Sequence, residues 1–250
     1  MPLKSFNLKI DEKIKPFNKT IKVDSDKSIS IRSFLIGAIC QRISIVKNVL
    51  ESDDVFSTIN CLKSLGVKIK KLDHKNYSIY GKGLGSLLSK KNMILDFGNS
   101  GTLTRLLIGI LTSTPNINLK LTGDKSLNKR SMKKLINLME KFGASFLPKN
   151  KFRLPLKFIS SKIPIGIKYK AGVSAQLKSA VMLAGLNSYG NTEIEENAKS
   201  RDHTENLILL NSKAIKIIKN KKKIIKIFGK NFLKSLKVSV PGDPSSAAFF

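Results

Sequence analysis

The sequence contains few of the residues that build metal, redox or aromatic sites. Among its 250 residues there is no tryptophan, and there are only two cysteines and two histidines. No Cys/His spacing typical of a zinc site occurs, so we expect neither a metal nor another cofactor. Cys40 and Cys61 each stand alone within an apolar stretch. They are predicted to be buried, reduced thiols of a cytoplasmic protein.

Long apolar segments are also absent. No run of about 18 apolar residues occurs, so the sequence predicts no transmembrane helix and no membrane partner. Residues 1–15 are rich in lysine and lack the apolar core of a secretory signal. A composition of 41% hydrophobic and 25% charged residues is typical of a globular protein.

Acidic residues are scarce compared with basic ones. The chain has 17 Asp and Glu against 46 Lys and Arg, which gives a net charge of +29. This charge leaves a basic nucleic-acid-binding module as an alternative function. Only six of the basic residues are arginine, and the lysines are scattered among Ile and Asn. This pattern favours a general drift in amino-acid composition, rather than a nucleic-acid-binding surface, as the origin of the positive charge. The chain also lacks aromatic platforms for base stacking, so we expect anionic small substrates and no nucleic acid.

An internal repeat organises the chain from residue 20 onward. One pattern runs three times: a strand, a polar turn and apolar helix, a second strand, a second turn and helix, and two closing strands. The predicted first halves are strand 20–23, helix 29–40 and strand 44–50; strand 93–97, helix 103–111 and strand 117–122; strand 166–169, helix 177–186 and strand 192–195. The predicted second halves are helix 55–65 with strands 67–70 and 77–80; helix 132–142 with strands 144–147 and 152–156; helix 204–210 with strands 214–218 and 223–227.

A single βαβαββ unit cannot close its own core, so three units are expected to share one. Gly66 and Gly143 end equivalent second helices and are predicted to be left-handed caps. Ser174 and Ser200 are expected to cap helix starts, and Asp53 and Asp54 are expected to be first-turn acids.

The turns that open the helices are expected to point the same way, because the units repeat. The turn before the second apolar helix contains Gly98, Asn99, Ser100 and Gly101, and Arg105 lies one helical turn further on. Unpaired N–H groups and the helix dipole favour anions at such a start. The pattern therefore indicates a phosphate site, although an ordinary capped helix after a strand explains the same residues equally well.

Six ordered segments resemble the EPSP synthase family of enolpyruvyl transferases. Asp26-Lys27-Ser28-Ile29-Ser30-Ile31-Arg32 is similar to the family pattern D-K-S-x-S-x-R, without the preceding Pro-Gly. The other five segments are residues 95–105 (L-x-x-G-N-S-G-T-x-x-R), 123–130 (G-D-x-S-L-x-x-R), 174–186 (S-A-Q-x-K-S-A…A-G-L), 200–205 (S-R-D-H-T-E) and 240–249 (V-P-G-D-x-S-S-A-A-F). The resemblance covers most of the chain.

The resemblance implies an α/β fold, an inside-out α/β barrel domain built from three βαβαββ repeats. Residues 20–240 would form the first domain, with repeats at about 20–91, 92–164 and 165–235. Residues 241–250 would begin a second domain, and residues 1–19 would contribute a strand to that domain. Family members are longer, so we expect this chain to be an incomplete fragment that is inactive alone and part of a monomer when full length.

The resemblance also implies a reaction and its residues. The enolpyruvyl group of phosphoenolpyruvate would move to the 5-hydroxyl of shikimate 3-phosphate, a step toward chorismate and the aromatic amino acids. The implied phosphoenolpyruvate residues are Lys27, Gly101, Arg130 and Gln176, with Lys27 also a catalytic proton-transfer group. The implied shikimate 3-phosphate residues are Lys27, Ser28, Arg32, Ser174, Ala175 (through its N–H), Gln176 and Arg201. Asn99 would shape the turn beside the intermediate.

Departures from the family pattern limit some of these expectations. Asp24-Ser25 replaces Pro-Gly, and Ser131 replaces the proline after Arg130. Gly101 keeps the small residue of glyphosate-sensitive enzymes, so sensitivity is expected. A UDP-N-acetylglucosamine enolpyruvyl transferase is the alternative within the fold, but Lys27-Ser28 and the lack of cysteine near residues 110–130 argue against it.

Overall fold

The structure, a computed structural model, describes Lys9 and residues 20–210, 213–219 and 222–248. The strand predicted within residues 1–19 falls outside these residues. The helices are α1 Lys27–Ile39, α2 Asp53–Ser64, α3 Gly101–Thr112, α4 Lys125–Lys129, α5 Lys133–Glu140, α6 Ala175–Leu186, α7 His203–Leu209 and α8 Pro244–Ala247. The strands are β1 Gln41–Lys47, β2 Lys68–Asp73, β3 Asn76–Lys82, β4 Ile94–Asp96, β5 Asn118–Thr122, β6 Ser145–Leu147, β7 Leu156–Ile159, β8 Lys168–Ala171, β9 Asn191–Glu196, β10 Ile215–Lys219, β11 Lys223–Phe228 and β12 Lys237–Ser239.

The strands form three four-stranded sheets with one common order. The orders are β12-β1-β3-β2, β4-β5-β7-β6 and β8-β9-β11-β10. In each sheet the first two strands are parallel, and the remaining neighbours are antiparallel. This common order confirms the repeated α/β architecture that the sequence predicts.

The first sheet takes its outer strand from the far end of the chain, which corrects one prediction. Residues 20–23 were predicted to be a strand, but they form none; only Ser25 makes an isolated bridge, to Gly242. The parallel neighbour of β1 is instead β12, with Ile45 opposite Lys237. The Asn48 side-chain amide donates to the Val240 carbonyl at 2.7 Å, and the Asp26 N–H donates to the Pro241 carbonyl at 2.9 Å. These bonds hold β12 where a local strand was expected.

The core is built around α1, α3 and α6, each of which buries ten residues. These helices are apolar nearly all round, so they lie inside, while the sheets bury one face and expose the other. In β5, for example, buried and exposed positions alternate. A Cβ on Gly109 of α3 would lie 2.5 Å from the Ala180 carbonyl oxygen of α6, so the two inner helices touch through their backbones. α1, α3 and α6 are therefore inside the barrel, and the sheets are outside it.

Other predicted boundaries are confirmed or shifted by a few residues. Gly66 and Gly143 have φ of +88° and +93°, as left-handed helix caps require. The last strand of the second repeat begins at Leu156, after Pro155, because proline has no N–H to donate to a ladder. An additional short helix, α4, precedes α5, which begins at Lys133, one residue after the predicted start at Met132.

The two cysteines are free and buried, as predicted. Burial raises the pKa of each thiol to about 12. Within the described residues, no group of three or more His, Cys, Asp or Glu side chains is arranged to hold a metal ion. None of the described helices combines the length and apolar character needed to span a bilayer.

Candidate active site

The start of α3 is joined to the start of α6 by an arginine and an amide. Ser100 caps α3, and its Oγ accepts from the Leu103 N–H at 3.3 Å. Arg105 reaches back along the helix, and its Nη1 donates to the Gly101 carbonyl and to Gln176 Oε1, both at 2.9 Å. The Gln176 Nε2 in turn donates to Thr102 Oγ1 at 2.9 Å. Gln176 therefore fixes the two helix starts relative to each other.

Arg130 approaches the same helix start from the end of α4. Its Nη2 donates to Asn99 Oδ1 at 2.6 Å. A Cβ on Gly101 would lie 2.8 Å from the Nη1 of Arg105 and 3.3 Å from the Nη1 of Arg130. Burial, and then the positive charge of Arg130, lower the pKa of Arg105. Two guanidinium groups thus meet over Gly101, and no salt bridge neutralises either of them among the described residues.

Lys27, the first residue of α1, faces the first turn of α2. Its Nζ lies 2.9 Å from Asp54 Oδ2, with the lysine side chain 50% exposed. The prediction of Asp53 and Asp54 as first-turn acids is confirmed, but the pairing with Lys27 was not foreseen. Ser28 follows Lys27 in the first turn of α1. The half-exposed ammonium of Lys27 therefore has a carboxylate partner.

Arg32 lies beneath these helix starts and is only 4% exposed. Its Nε donates to Thr204 Oγ1 at 2.9 Å, and its Nη1 donates to the Ser28 carbonyl at 3.0 Å. Its Nη2 lies 3.5 Å from Ser179 Oγ. Burial lowers the pKa of Arg32 to about 10, although Asp26 and Glu205 partly oppose this change. Arg32 thus ties α1 to α6 and α7.

The remaining predicted residues lie at the starts of α6 and α7. Ser174 caps α6, as predicted, with its Oγ 3.4 Å from the Leu177 N–H, and Ala175 is the first residue of that helix. Arg201 is exposed, and its Nη2 donates to Ser245 Oγ at 3.3 Å. No hydrogen bond or salt bridge in the described part of the chain joins Lys27 or Arg201 directly to the residues around Gly101.

The prediction that Ser200 caps a helix is wrong. The residue before α7 is Asp202, which makes no side-chain cap bond. The Ser200 hydroxyl instead donates to Glu196 Oε1 at 2.8 Å, and an ionised carboxylate is a strong hydrogen-bond acceptor. The Nδ1 of the nearby His203 is buried and has no hydrogen-bond partner among the described residues, and burial lowers the pKa of this ring.

Comparison with known proteins identifies the family. The family model for EPSP synthase (3-phosphoshikimate 1-carboxyvinyltransferase) matches residues 11–250. The chain belongs to the EPSP synthase family. It is 40% identical over 238 residues to the 3-phosphoshikimate 1-carboxyvinyltransferase of Paramagnetospirillum magneticum, covering 94% of this chain and 53% of that one. It is 42% identical over 247 residues to that of Caldicellulosiruptor bescii, covering 98% and 56%.

Solved structures of the EPSP synthase family share the fold. The EPSP synthase of Acinetobacter baumannii superposes with a TM-score of 0.82 at 33% identity, covering 92% of this chain and 51% of that chain. This match confirms the predicted EPSP-synthase-like α/β fold. The chain spans about half the length of the curated relatives it matches.

Sequence reasoning missed a buried cluster of charges inside this EPSP synthase fold. Lys178 on α6 is fully buried, with its Nζ 2.7 Å from Glu196 Oε1 and 2.6 Å from Glu205 Oε1. Lys223 contributes a second ammonium, 2.7 Å from Glu196 Oε2. Burial alone would raise the pKa of Glu196, but hydrogen bonds from Lys178, Lys223 and Ser200 outweigh it and lower this pKa to about 2. A lysine within an otherwise apolar helix was the signal that could have revealed the cluster.

Proposed function

We propose that this chain supplies one substrate-binding half of an enolpyruvyl transferase. That enzyme moves the enolpyruvyl group of phosphoenolpyruvate to the 5-hydroxyl of shikimate 3-phosphate and releases phosphate. The observation that carries the proposal is the pair of guanidinium groups over Gly101 at the start of a buried helix. Both substrates carry phosphate, and unpaired cations at a helix start favour such anions.

Phosphoenolpyruvate is assigned to the residues around Gly101. Arg105 and Arg130 would pair with its phosphate or carboxylate, and the missing side chain at Gly101 lets both guanidinium groups come close to the helix start. Gln176 and Asn99 orient the two arginines through hydrogen bonds of 2.9 and 2.6 Å. These cations would stabilise the charge that develops as the phosphate leaves the tetrahedral intermediate.

Shikimate 3-phosphate is assigned to the starts of α1 and α6. The hydroxyl of Ser28, the hydroxyl of Ser174 and the N–H of Ala175 are donors at the two helix starts. Arg201 would add a positive charge from the exposed turn before α7. Arg32 is almost fully buried, so it would support this site from beneath, through its hydrogen bond to the Ser28 carbonyl.

Lys27 is assigned the proton transfer. The substrate hydroxyl loses its proton as its oxygen bonds to C2 of phosphoenolpyruvate, while C3 gains a proton. C3 loses a proton again as phosphate leaves. A half-exposed ammonium paired with Asp54 can exchange protons at that point. Since the chain spans about half of its relatives, we propose that it binds substrate but needs residues outside this chain for turnover.

The proposal is tested by calorimetric titration of the 250-residue chain with shikimate 3-phosphate. We expect saturable binding that Arg201→Ala weakens about tenfold, since a hydrogen bond to a charged group contributes about 1.5–3 kcal/mol. Lys199→Ala is the matched control, because it removes a neighbouring exposed charge that has no assigned role. Binding of duplex DNA in place of shikimate 3-phosphate, with a strong salt dependence and no response to Arg201→Ala, would instead favour a nucleic-acid module.

A phosphate-release assay tests the second part of the proposal. With both substrates present, we expect no turnover by the chain alone. Robust release of phosphate from phosphoenolpyruvate would overturn the assignment of a half-site while leaving the family assignment intact.

A further inference from the structure

The buried charge cluster, defined as Lys178, Glu196, Glu205 and Lys223, lies next to the turn at residues 197–202. We propose that this cluster positions Arg201: it fixes that turn against α6 so that the guanidinium of Arg201 faces shikimate 3-phosphate. The inference rests on the proposed function, because it takes Arg201 as a shikimate 3-phosphate contact. Nothing in the resemblance to the family assigns a role to these four residues.

One carboxylate oxygen holds both sides of the junction. Glu196 Oε1 accepts from Lys178 Nζ at 2.7 Å, and Lys178 lies two residues after Gln176 on α6. The same oxygen accepts from the Ser200 N–H at 3.1 Å and from the Ser200 Oγ at 2.8 Å. Ser200 immediately precedes Arg201. The backbone at Arg201 is therefore two hydrogen bonds away from the start of α6.

The helix that follows Arg201 is also held from α6. α7 has seven residues, and its N-cap Asp202 makes no side-chain cap bond. Two inward side chains fix it instead. Glu205 Oε1 lies 2.6 Å from Lys178 Nζ, and Thr204 Oγ1 donates to Ser179 Oγ at 2.8 Å. Arg201 is thus bracketed on both sides by contacts to Lys178 and Ser179.

The charge balance of the cluster separates it from the substrate-binding residues. Two ammonium groups face two carboxylates, and the side chains of Lys178, Glu196 and Glu205 are at most 2% exposed. Such a group cannot contact a ligand at the surface. Burying ion pairs costs more than burying apolar side chains of the same size, so their geometry rather than their energy is the reason we assign a positioning role.

The experiment compares two ways of loosening the turn. Ser200→Ala removes one hydrogen bond and leaves every ion pair in place, so this variant is expected to fold. Glu196→Gln removes the charge that holds both Lys178 and the turn. We expect each to weaken shikimate 3-phosphate binding about three- to tenfold, whereas Ser200→Thr, which keeps the hydroxyl, should restore binding. Glu195→Gln is the matched control, because the adjacent Glu195 pairs with the exposed Lys222.

A double-mutant cycle distinguishes positioning from general destabilisation. If the cluster acts through Arg201, Ser200→Ala should have no further effect on binding in the Arg201→Ala background. Equal weakening by Ser200→Ala in both backgrounds would overturn the inference. So would a loss of binding in Glu195→Gln as large as that in Glu196→Gln.

Amide hydrogen exchange separates this inference from the proposed function. If the wild-type chain does not bind shikimate 3-phosphate, the proposed function fails and exchange decides the positioning claim. Protection of the Ser200 amide, which donates to Glu196 Oε1, that is lost at least tenfold in Glu196→Gln and kept in Glu195→Gln would support it. Exchange at this amide that is the same in wild type and Glu196→Gln would overturn it.

Discussion

Arg105 and Arg130 meet over Gly101 without a salt bridge among the described residues, whereas Lys178, two residues after Gln176 on α6, contacts two carboxylates. The first group leaves positive charge unbalanced at a helix start, and the second buries balanced charge behind it. Unbalanced charge at a surface attracts anions and contributes little to folding, while balanced buried charge is tied to the folded structure. The two groups should therefore respond in opposite ways to mutation.

Two neighbouring residues of β9 reproduce this contrast within one strand. Successive side chains of a strand point to opposite faces, so Glu195 lies on the outer face and Glu196 on the inner one. Glu195 pairs with the 61% exposed Lys222, whereas Glu196 pairs with the fully buried Lys178. Glu195 is therefore a matched control for Glu196, because it is the same residue type in an exposed ion pair one position away.

The largest expected effect comes from breaking the buried cluster. Lys178→Met removes the ammonium and leaves Glu196 and Glu205 as buried carboxylates, with Lys223 as the remaining salt-bridge partner among the described residues. Removing one partner of a buried ion pair costs about 3–5 kcal/mol, so we expect the free energy of unfolding in urea to fall by that amount. Lys222→Met, which removes the exposed partner of Glu195, should change it by less than about 1 kcal/mol. Similar losses in both variants would contradict the distinction between the two groups.

Acidification should affect the same cluster with the next largest effect. The pKa of Glu196 is lowered from 4.5 to about 2, so its contribution to stability is present above pH 4.5 and is lost as the pH falls toward 2. A shift of this size corresponds to about 3 kcal/mol. Urea unfolding from pH 6 to pH 3 should show a smaller decline for Glu196→Gln than for wild type. Glu195→Gln should lose stability nearly as wild type does, and a decline as small as that of Glu196→Gln would count against the assignment.

The parts of the fold that follow from local pattern were predictable from the sequence. α1, α3 and α6 were found because their apolar residues recur without a polar face, and Gly66 and Gly143 were found because a left-handed cap requires glycine. The first strand of the first repeat was not predictable in this way. β12 replaces it from about 190 residues away, and a pairing at that separation leaves no local signal.

The same limit applies to the candidate site. Asn99, Gly101 and Arg105 could be proposed because they share one turn and one motif, while Arg130 and Gln176 could be added because each lies in a further motif of the resemblance. The pairing of Lys27 with Asp54 and the contacts of Lys178 could not, because each joins two elements whose separation only the folded structure defines. The error at Ser200 has the same origin: its hydroxyl fits a helix cap by type, but a buried carboxylate from another strand accepts its hydrogen bond.

Removing one of the arginines over Gly101 should weaken ligand binding and leave stability almost unchanged, whereas Lys178→Met should lower stability. Arg130 is exposed, and its Nη2 donates to Asn99. We expect Arg130→Ala to change the free energy of unfolding by less than about 0.5 kcal/mol, as is usual for surface substitutions. Calorimetric titration with phosphoenolpyruvate should show about tenfold weaker binding. Lys129→Ala, the neighbouring exposed cation, should leave both quantities unchanged; a large loss of stability in Arg130→Ala would show that its role is structural.

The smallest expected effect concerns Asp54, which forms an ion pair, as the buried cluster does, but at a partly exposed helix start, as at Gly101. Its carboxylate lies 2.9 Å from Lys27, but both side chains are partly exposed. Asp54→Asn should therefore lower the free energy of unfolding by no more than about 1 kcal/mol. Because it removes the negative charge beside an ammonium, it should strengthen binding of inorganic phosphate, by about fivefold at low salt. Asp53→Asn removes an acid from the same helical turn without touching Lys27, so it isolates the effect of the pair. Weaker phosphate binding in Asp54→Asn would mean that the carboxylate holds Lys27 in place more than it neutralises it, and Lys27 would then belong with the balanced charges rather than with the arginines over Gly101.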